Sequence, residues 1–112
     1  MLTISIVLFA VAALLGLVVL TALLKKKETP KAVVYSHGIV AATALVLLIV
    51  YGINNPDSFP KLSIIIFVIA AIGGFYLFFN DMRKKPGPVS VALIHALAAV
   101  AGFITLLMFV LT

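Results

Sequence analysis

The sequence contains no cysteine, no tryptophan and only three acidic residues in 112. Without cysteine the chain can form no disulfide, thiolate metal site, cysteine nucleophile or iron–sulfur cluster. Charged residues make up 10% of the chain and hydrophobic residues 65%, whereas roughly a quarter of a soluble domain is charged. So few polar groups could not cover the surface of a soluble fold. The composition therefore excludes a cytosolic enzyme, a nucleic-acid-binding module and a disordered chain, and it indicates a membrane protein.

Four apolar runs contain no Asp, Glu, Lys or Arg, and each has about the 20 residues that a helix needs to cross a bilayer. They cover Thr3–Leu24, Ala32–Ile53, Leu62–Phe79 and Val89–Leu111. The runs lack the alternation of polar and apolar residues that barrel strands show, so we expect helices. Because the connections are short, neighbouring helices should be antiparallel. The sequence predicts an all-α, up-down-up-down bundle of four membrane-spanning helices.

Seven of the eight basic residues lie in the first and third connections, at positions 25–31 and 81–88. The positive-inside rule places these connections in the cytoplasm and both termini outside, and we expect a bacterial cytoplasmic membrane. The positive charge follows the first apolar run instead of preceding it, which argues against a cleavable signal peptide. A sufficient explanation of the basic connections is that they set the topology and contact anionic lipid.

The chain also matches itself without a gap when it is shifted by 58 residues. Within one transmembrane domain, repeat 1 covers about residues 1–54 and repeat 2 about residues 59–112. The scarce residue types carry the match: Gly16 aligns with Gly74, Lys26 and Lys27 with Lys84 and Lys85, Pro30 with Pro88, and His37 with His95. Each repeat holds two spans, so both enter the membrane in the same direction. A pseudo-twofold axis along the membrane normal should relate them.

His37 and His95 are the only ionisable side chains inside the predicted spans, tyrosines aside. Each lies about 9–10 Å from the basic end of its helix, at about 1.5 Å per residue. The pseudo-twofold axis would place the two rings opposite each other at one depth. Polar side chains in a span usually face the bundle interior and have a partner, and the spans offer no Asp or Glu for that purpose.

Two facing imidazoles beside small residues could ligate the iron of a haem b whose porphyrin lies between the helices. The expected wall of this pocket consists of small residues: Gly16, Ala41, Ala44, Gly74, Ala99 and Gly102. Cations at the basic end could neutralise the haem propionates: Lys25, Lys26, Lys27, Arg83, Lys84 and Lys85. Ligation by two histidines leaves no open position on the iron. Such a site would carry electrons, and no catalytic residue is predicted.

A histidine pair on two helices of a four-helix membrane bundle, with His37-Gly38 and His95-Ala96 as candidate ligands, resembles the membrane b-type cytochromes. The resemblance is architectural, covers the helical core and implies one-electron transfer through haem. Two-haem members of that class carry one histidine pair near each leaflet. This chain has a single pair, which implies one haem per chain. An electron crossing the whole bilayer would then need a quinone or a redox partner subunit, and a homo-oligomer is compatible with this arrangement.

Other interpretations stay open. Each histidine could donate to a carbonyl of a neighbouring helix and serve only as a structural bridge. Two imidazoles without a carboxylate or thiolate make a poor zinc site, and a proton relay would need further polar groups. The chain could instead be a cofactor-free accessory or assembly subunit of a larger membrane complex. It shares its size with small drug exporters, but its first span lacks the carboxylate on which those transporters depend.

Overall fold

The computed structural model describes residues 1–85 and 88–112, and these residues form four helices numbered in chain order. Helix α1 spans Leu2–Leu24, α2 spans Lys31–Asn54, α3 spans Lys61–Met82 and α4 spans Val89–Leu111. Each helix is long and apolar enough to cross a membrane, which confirms the predicted all-α bundle of four spans. The predicted boundaries agree to within one residue, except that α3 continues to Met82 and so includes Asp81. Residues 86 and 87 of the predicted third connection lie outside the described residues.

Three of the helices begin immediately after a proline. Pro30, Pro60 and Pro88 are the residues that precede the first turns of α2, α3 and α4. The amide N–H groups at the start of a helix have no partner within the helix, and proline lacks that N–H, so its presence there costs no hydrogen bond. The proline spacing therefore sets where each of these spans starts.

Helices α1 and α3 end in the same way. Lys26 and Lys84 adopt left-handed backbone conformations, with φ of 56° and 57°. After α1, the amide of Lys27 donates to the carbonyl of Ala22 at 2.9 Å, and the equivalent bond follows α3. This closes the last turn of each helix in a Schellman-type arrangement, in which glycine is the usual left-handed residue. The two basic turns are thus alike in backbone geometry as well as in sequence.

Helix α1 packs closely along α2, and α3 packs closely along α4, so that the chain forms two antiparallel hairpins. The hairpins meet less extensively, through α1 with α4 and α2 with α3. In cross-section α1 and α3 therefore occupy one diagonal, and α2 and α4 occupy the other. The molecule is 44 Å long, close to the roughly 40–45 Å thickness of a bilayer with its head groups.

Most of the buried residues fall at equivalent positions in the two halves, 58 residues apart, whereas Gly52 and Pro60 are buried without a buried counterpart. The equivalent pairs are Ser5 and Ser63, Phe9 and Phe67, Ala12 and Ala70, Val34 and Ala92, Ala44 and Gly102, and Leu48 and Leu106. Each hairpin therefore presents the same face to the bundle interior. The interior is built from two copies of one packing pattern.

The half of the bundle farther from the lysine-rich turns, which we call the distal half, is closely packed. The rings of Phe9 and Phe67 stack across its centre with centroids 3.9 Å apart and planes inclined by 4°. Leu48 and Leu106 are fully buried beside this stack. Since the two phenylalanines come from α1 and α3, the stack connects the two hairpins.

Large apolar side chains point outward along the whole length of the bundle. Leu14, Ile39, Ile72 and Ile94 are each about two thirds exposed and come from four different helices. A soluble monomer rarely exposes apolar surface on every side, whereas lipid covers such a surface in a membrane. The chain is therefore an integral membrane protein that crosses the bilayer several times.

Candidate functional site

His37 on α2 and His95 on α4 make the same hydrogen bond in the two hairpins. Nδ1 of His37 lies 2.7 Å from the carbonyl oxygen of Ala12 on α1, and Nδ1 of His95 lies 2.7 Å from that of Ala70 on α3. A carbonyl oxygen can only accept, so Nδ1 carries the proton and donates in both bonds. In a neutral imidazole of this tautomer, Nε2 holds the lone pair. Each ring therefore has a nitrogen free to act as a ligand.

Glycines on the facing helices make room for the two rings. A Cβ at Gly16 would lie 2.9 Å from Cε1 of His37, and one at Gly74 would lie 2.9 Å from Cε1 of His95. Carbon atoms in good contact are about 3.5–4.0 Å apart, so a side chain at either position would displace the ring. The imidazoles can lie against α1 and α3 because these positions have no side chain.

The two imidazoles meet inside the bundle. Their ring centroids are 6.2 Å apart, and the ring planes are inclined by 88°. His37 and His95 stand on the diagonal formed by α2 and α4, so the rings approach each other from opposite corners of the bundle. The structure therefore brings together the two residues that the repeat places at one depth.

The rings border a cavity of about 830 Å³ between the hairpins, which we call the histidine cavity; it opens to the surface of the bundle, where exposed residues such as Ile39 and Phe75 belong to its lining. Its lining is mostly apolar and includes Phe9 and Phe67 of the distal stack. Four of the small residues predicted to form the pocket wall line it: Gly16, Ala41, Gly74 and Ala99. The bundle is thus packed tightly in its distal half and open around the histidines.

Ala44 and Gly102 do not line the histidine cavity, which corrects the expectation for these two positions. Ala44 is fully buried in the distal half, where its carbonyl accepts a hydrogen bond from Oγ of Ser5 at 2.9 Å. A Cβ at Gly102 would lie 2.9 Å from the ring of Phe67. Both residues pack around the aromatic stack, at a depth where the helices are in close contact.

A second cavity, of about 630 Å³, lies at the end of the bundle that carries the lysine-rich turns; we call it the basic cavity. It shares Leu23, Thr29 and Asp81 with the lining of the histidine cavity, so the two are adjacent. Four of the six predicted propionate contacts line it: Lys26, Lys27, Lys84 and Lys85. All six side chains are exposed, and the other two, Lys25 and Arg83, line neither cavity.

One polar cluster at the basic cavity was missed by sequence reasoning. Nζ of Lys31 on α2 lies 2.8 Å from Oδ2 of Asp81 on α3, and the hydroxyl of Thr29 donates to the same carboxylate. The cluster joins the two hairpins on the α2–α3 side. The equivalent positions on the α1–α4 side hold Val89 and Leu23, so no such pair can form there. The sequence contained one signal for this cluster. Asp81 is an acidic residue whose equivalent in repeat 1 is Leu23, and it seemed to lie in a connection.

The donor atoms around the histidine cavity are few. Residues 1–85 and 88–112 contain no group of three or more His, Cys, Asp or Glu side chains that could hold a metal ion. Zinc sites normally use three or four protein ligands, so the pair of imidazoles does not fit a zinc centre. A metal whose remaining ligands come from a bound group, as in a porphyrin, would need only two protein nitrogens.

Comparisons of the chain with models of known protein families, with curated proteins and with solved structures give no match. No relative therefore supplies a function or a set of site residues. Bundles of this architecture serve many functions, so the two imidazoles, their cavity and the adjoining lysines are the basis for a functional proposal.

Proposed function

We propose that this chain is a membrane-embedded one-electron carrier that holds a single haem b between His37 and His95. The observation that carries the proposal is the separation of the two rings inside one cavity. A ligating imidazole nitrogen lies about 2 Å from its metal and the ring centroid about 1 Å farther, so two axial imidazoles on one metal have centroids about 6 Å apart. The observed separation of 6.2 Å agrees with this requirement.

The hydrogen bonds of the two histidines support ligation through Nε2. Histidines that ligate a metal usually donate their other ring N–H to a carbonyl or carboxylate, which fixes the tautomer and the orientation of the ring. Here the carbonyls of Ala12 and Ala70 accept these bonds, each at 2.7 Å. The two alanines would therefore act as positioning residues through their backbone, although neither would touch the iron.

The size and polarity of the cavities also support a porphyrin ligand. Cofactor pockets are mostly apolar and have volumes of about 300–1,000 Å³, and the histidine cavity, at about 830 Å³, lies within this range. The adjoining lysines, among them Lys26 and Lys84, are available to neutralise carboxylates. When bound, haem supplies an iron that alternates between the ferrous and ferric states. Held by both histidines, the iron would have no open position for oxygen, which would favour electron transfer.

A cofactor-free accessory subunit is the alternative, and two observations favour it. Each imidazole already bridges two helices through its bond to a carbonyl, so the pair could serve packing alone. The perpendicular planes of the two rings also occur in edge-to-face contacts between aromatic groups. The two functions differ in a simple property, because a haem protein is coloured and an accessory subunit without cofactor is not.

Replacing the histidines tests the proposed ligands. We expect His37→Ala and His95→Ala each to lower the haem bound per purified chain by about 10-fold or more, because an iron with one axial imidazole is held weakly. Thr43→Ala is the control, since Thr43 lies exposed on the same helix and bonds only to the carbonyl of Ile39. Haem per chain is measured by the pyridine haemochrome spectrum. A full complement of haem in the variant that lacks both histidines would refute the assignment.

A further inference from the structure

We propose that the basic cavity binds the phosphate head group of an acidic phospholipid. Five lysines and two carboxylates line this cavity of about 630 Å³, so its net charge is +3. It lies at one end of a bundle 44 Å long, at the depth where lipid phosphates stand in a bilayer of roughly 40–45 Å. Basic pockets between membrane-spanning helices are typical sites for anionic lipid head groups.

Four of the five lysines are available for an external anion. Lys31 is paired with Asp81 at 2.8 Å, and this is the only ion pair among the residues that the structure describes. The remaining carboxylate of the lining is Glu28. The available lysines form two equivalent pairs, one on each basic turn: Lys26 with Lys27, and Lys84 with Lys85. The cavity therefore presents positive charge from both hairpins.

The basic cavity has apolar residues on its side between α1 and α4. This feature favours a lipid over a free phosphate ion as the ligand. On the α2–α3 side the ion pair of Lys31 and Asp81 connects the two helices. The equivalent positions on the other side hold Val89 and Leu23, and both line the basic cavity. A ligand that joins a phosphate to hydrocarbon would contact lysines and apolar residues together, whereas inorganic phosphate would use only the lysines.

The proposed lipid site does not depend on the proposed haem. The two propionates of one haem would leave the basic cavity with a net charge of +1, since its lining carries +3. Retained lipid is counted separately from haem. A colourless protein that retains the lipid would therefore refute the proposed haem and leave the lipid site standing.

The chain offers a matched pair of variants. Lys27→Gln with Lys85→Gln removes one lysine of the cavity lining from each turn. Lys25→Gln with Arg83→Gln removes one exposed cation from each turn, at equivalent positions outside the lining. Both double variants lose two positive charges, so a general attraction between the basic turns and anionic lipid would weaken equally in both. Only a specific lipid site in the basic cavity would make the two double variants differ in lipid binding.

Lipid retention measures the site directly. The purified protein is equilibrated with mixed micelles that contain equal amounts of phosphatidylglycerol and phosphatidylcholine, and the lipid retained per chain is counted by native mass spectrometry. We expect the wild type to prefer phosphatidylglycerol, the Lys27→Gln/Lys85→Gln variant to lose about 10-fold in this retention, and the control to change by less than about twofold. Inorganic phosphate at millimolar concentration should leave the lipid bound.

Three results would overturn the proposal. Equal losses in the two double variants would show diffuse attraction instead of a site. Equal retention of the two lipids would show that the head-group charge is not recognised. Displacement of the lipid by millimolar inorganic phosphate would identify the free anion as the ligand and remove the role of Leu23 and Val89.

Discussion

The imidazole of His37 lies against Gly16, at a distance where a methyl group at residue 16 would be 2.9 Å from Cε1 of the ring. Gly74 and His95 have the same relationship in the other hairpin. The ring of His37 is at the same time bonded to the carbonyl of Ala12, so it cannot move away from α1 without losing that bond. Glycine and histidine thus act as one unit in each half, and the position of the free Nε2 depends on both.

Two adjacent glycines on α3 provide a test of this unit. We expect Gly74→Ala to displace His95, to lower the haem bound per chain severalfold and to destabilise the fold by about 1–3 kcal/mol, as overpacking usually does. At Gly73 a new Cβ would meet Cβ of His95 at 3.6 Å and Nδ1 at 3.9 Å, both ordinary contacts. Gly73→Ala should therefore keep its haem and gain up to about 1 kcal/mol from helix propensity. Haem content and thermal unfolding followed by circular dichroism are the measurements, and equal behaviour of the two variants would contradict the role of Gly74.

The aromatic stack should carry much of the stability of the distal half. Phe67→Ala removes one of two rings stacked at 3.9 Å between α1 and α3, and we expect a loss of about 3–5 kcal/mol, the usual cost of emptying such a site. Phe79→Ala is the control on the same helix, because Phe79 is 56% exposed and loses only an edge-to-face contact with Phe78, so it should change stability by less than about 1.5 kcal/mol. Unfolding in mixed micelles with increasing denaturing detergent measures both. Similar midpoints for the two variants would contradict the stack as the main connection between the hairpins.

The pair of Lys31 and Asp81 should contribute little to stability. The side chain of Lys31 is 39% exposed and that of Asp81 21%, so water screens their attraction. We expect a coupling energy of about 0.2–1 kcal/mol from a double-mutant cycle with Lys31→Gln and Asp81→Asn. The charge-exchanged variant, Lys31→Asp with Asp81→Lys, should recover most of this coupling energy. A coupling of zero in the cycle would mean that the pair does not hold α2 to α3.

The orientation of the protein in the membrane can be tested by cysteine labelling, because the chain contains no native cysteine. The concentration of basic residues in the first and third connections predicts that these face the cytoplasm. A membrane-impermeant maleimide should therefore label Asp57→Cys in intact cells and label Lys25→Cys only after permeabilisation. The opposite pattern would reverse the predicted topology, although the bundle itself would be unaffected.

The helices were predictable because charge is scarce. Runs without Asp, Glu, Lys or Arg marked all four spans, and three prolines marked where helices begin. The end of α3 was not predictable in this way. Asn80, Asp81 and Met82 extend the helix beyond the apolar run, and hydrophobicity alone does not distinguish a helical turn outside the hydrocarbon from a connection.

The site was predictable only in part. The matched positions of His37 and His95 in the two repeats indicated that the rings could meet, and the structure brings them to 6.2 Å. The sequence did not show which face of each helix points into the bundle, because all sides of these spans are apolar and no polar stripe marks the outside. For that reason Ala44 and Gly102 could not be separated from Ala41 and Ala99, although the former pair packs in the distal half.

The visible difference spectrum of the purified protein is the most direct test of haem binding. The protein is produced in cells supplied with a haem precursor, purified in mild detergent, and measured after oxidation and again after reduction with dithionite. If His37 and His95 hold a haem b, the reduced-minus-oxidised spectrum shows the sharp bands of a six-coordinate cytochrome at one haem per chain. A folded protein that shows no such bands, even after incubation with haemin, would contradict the electron-carrier function.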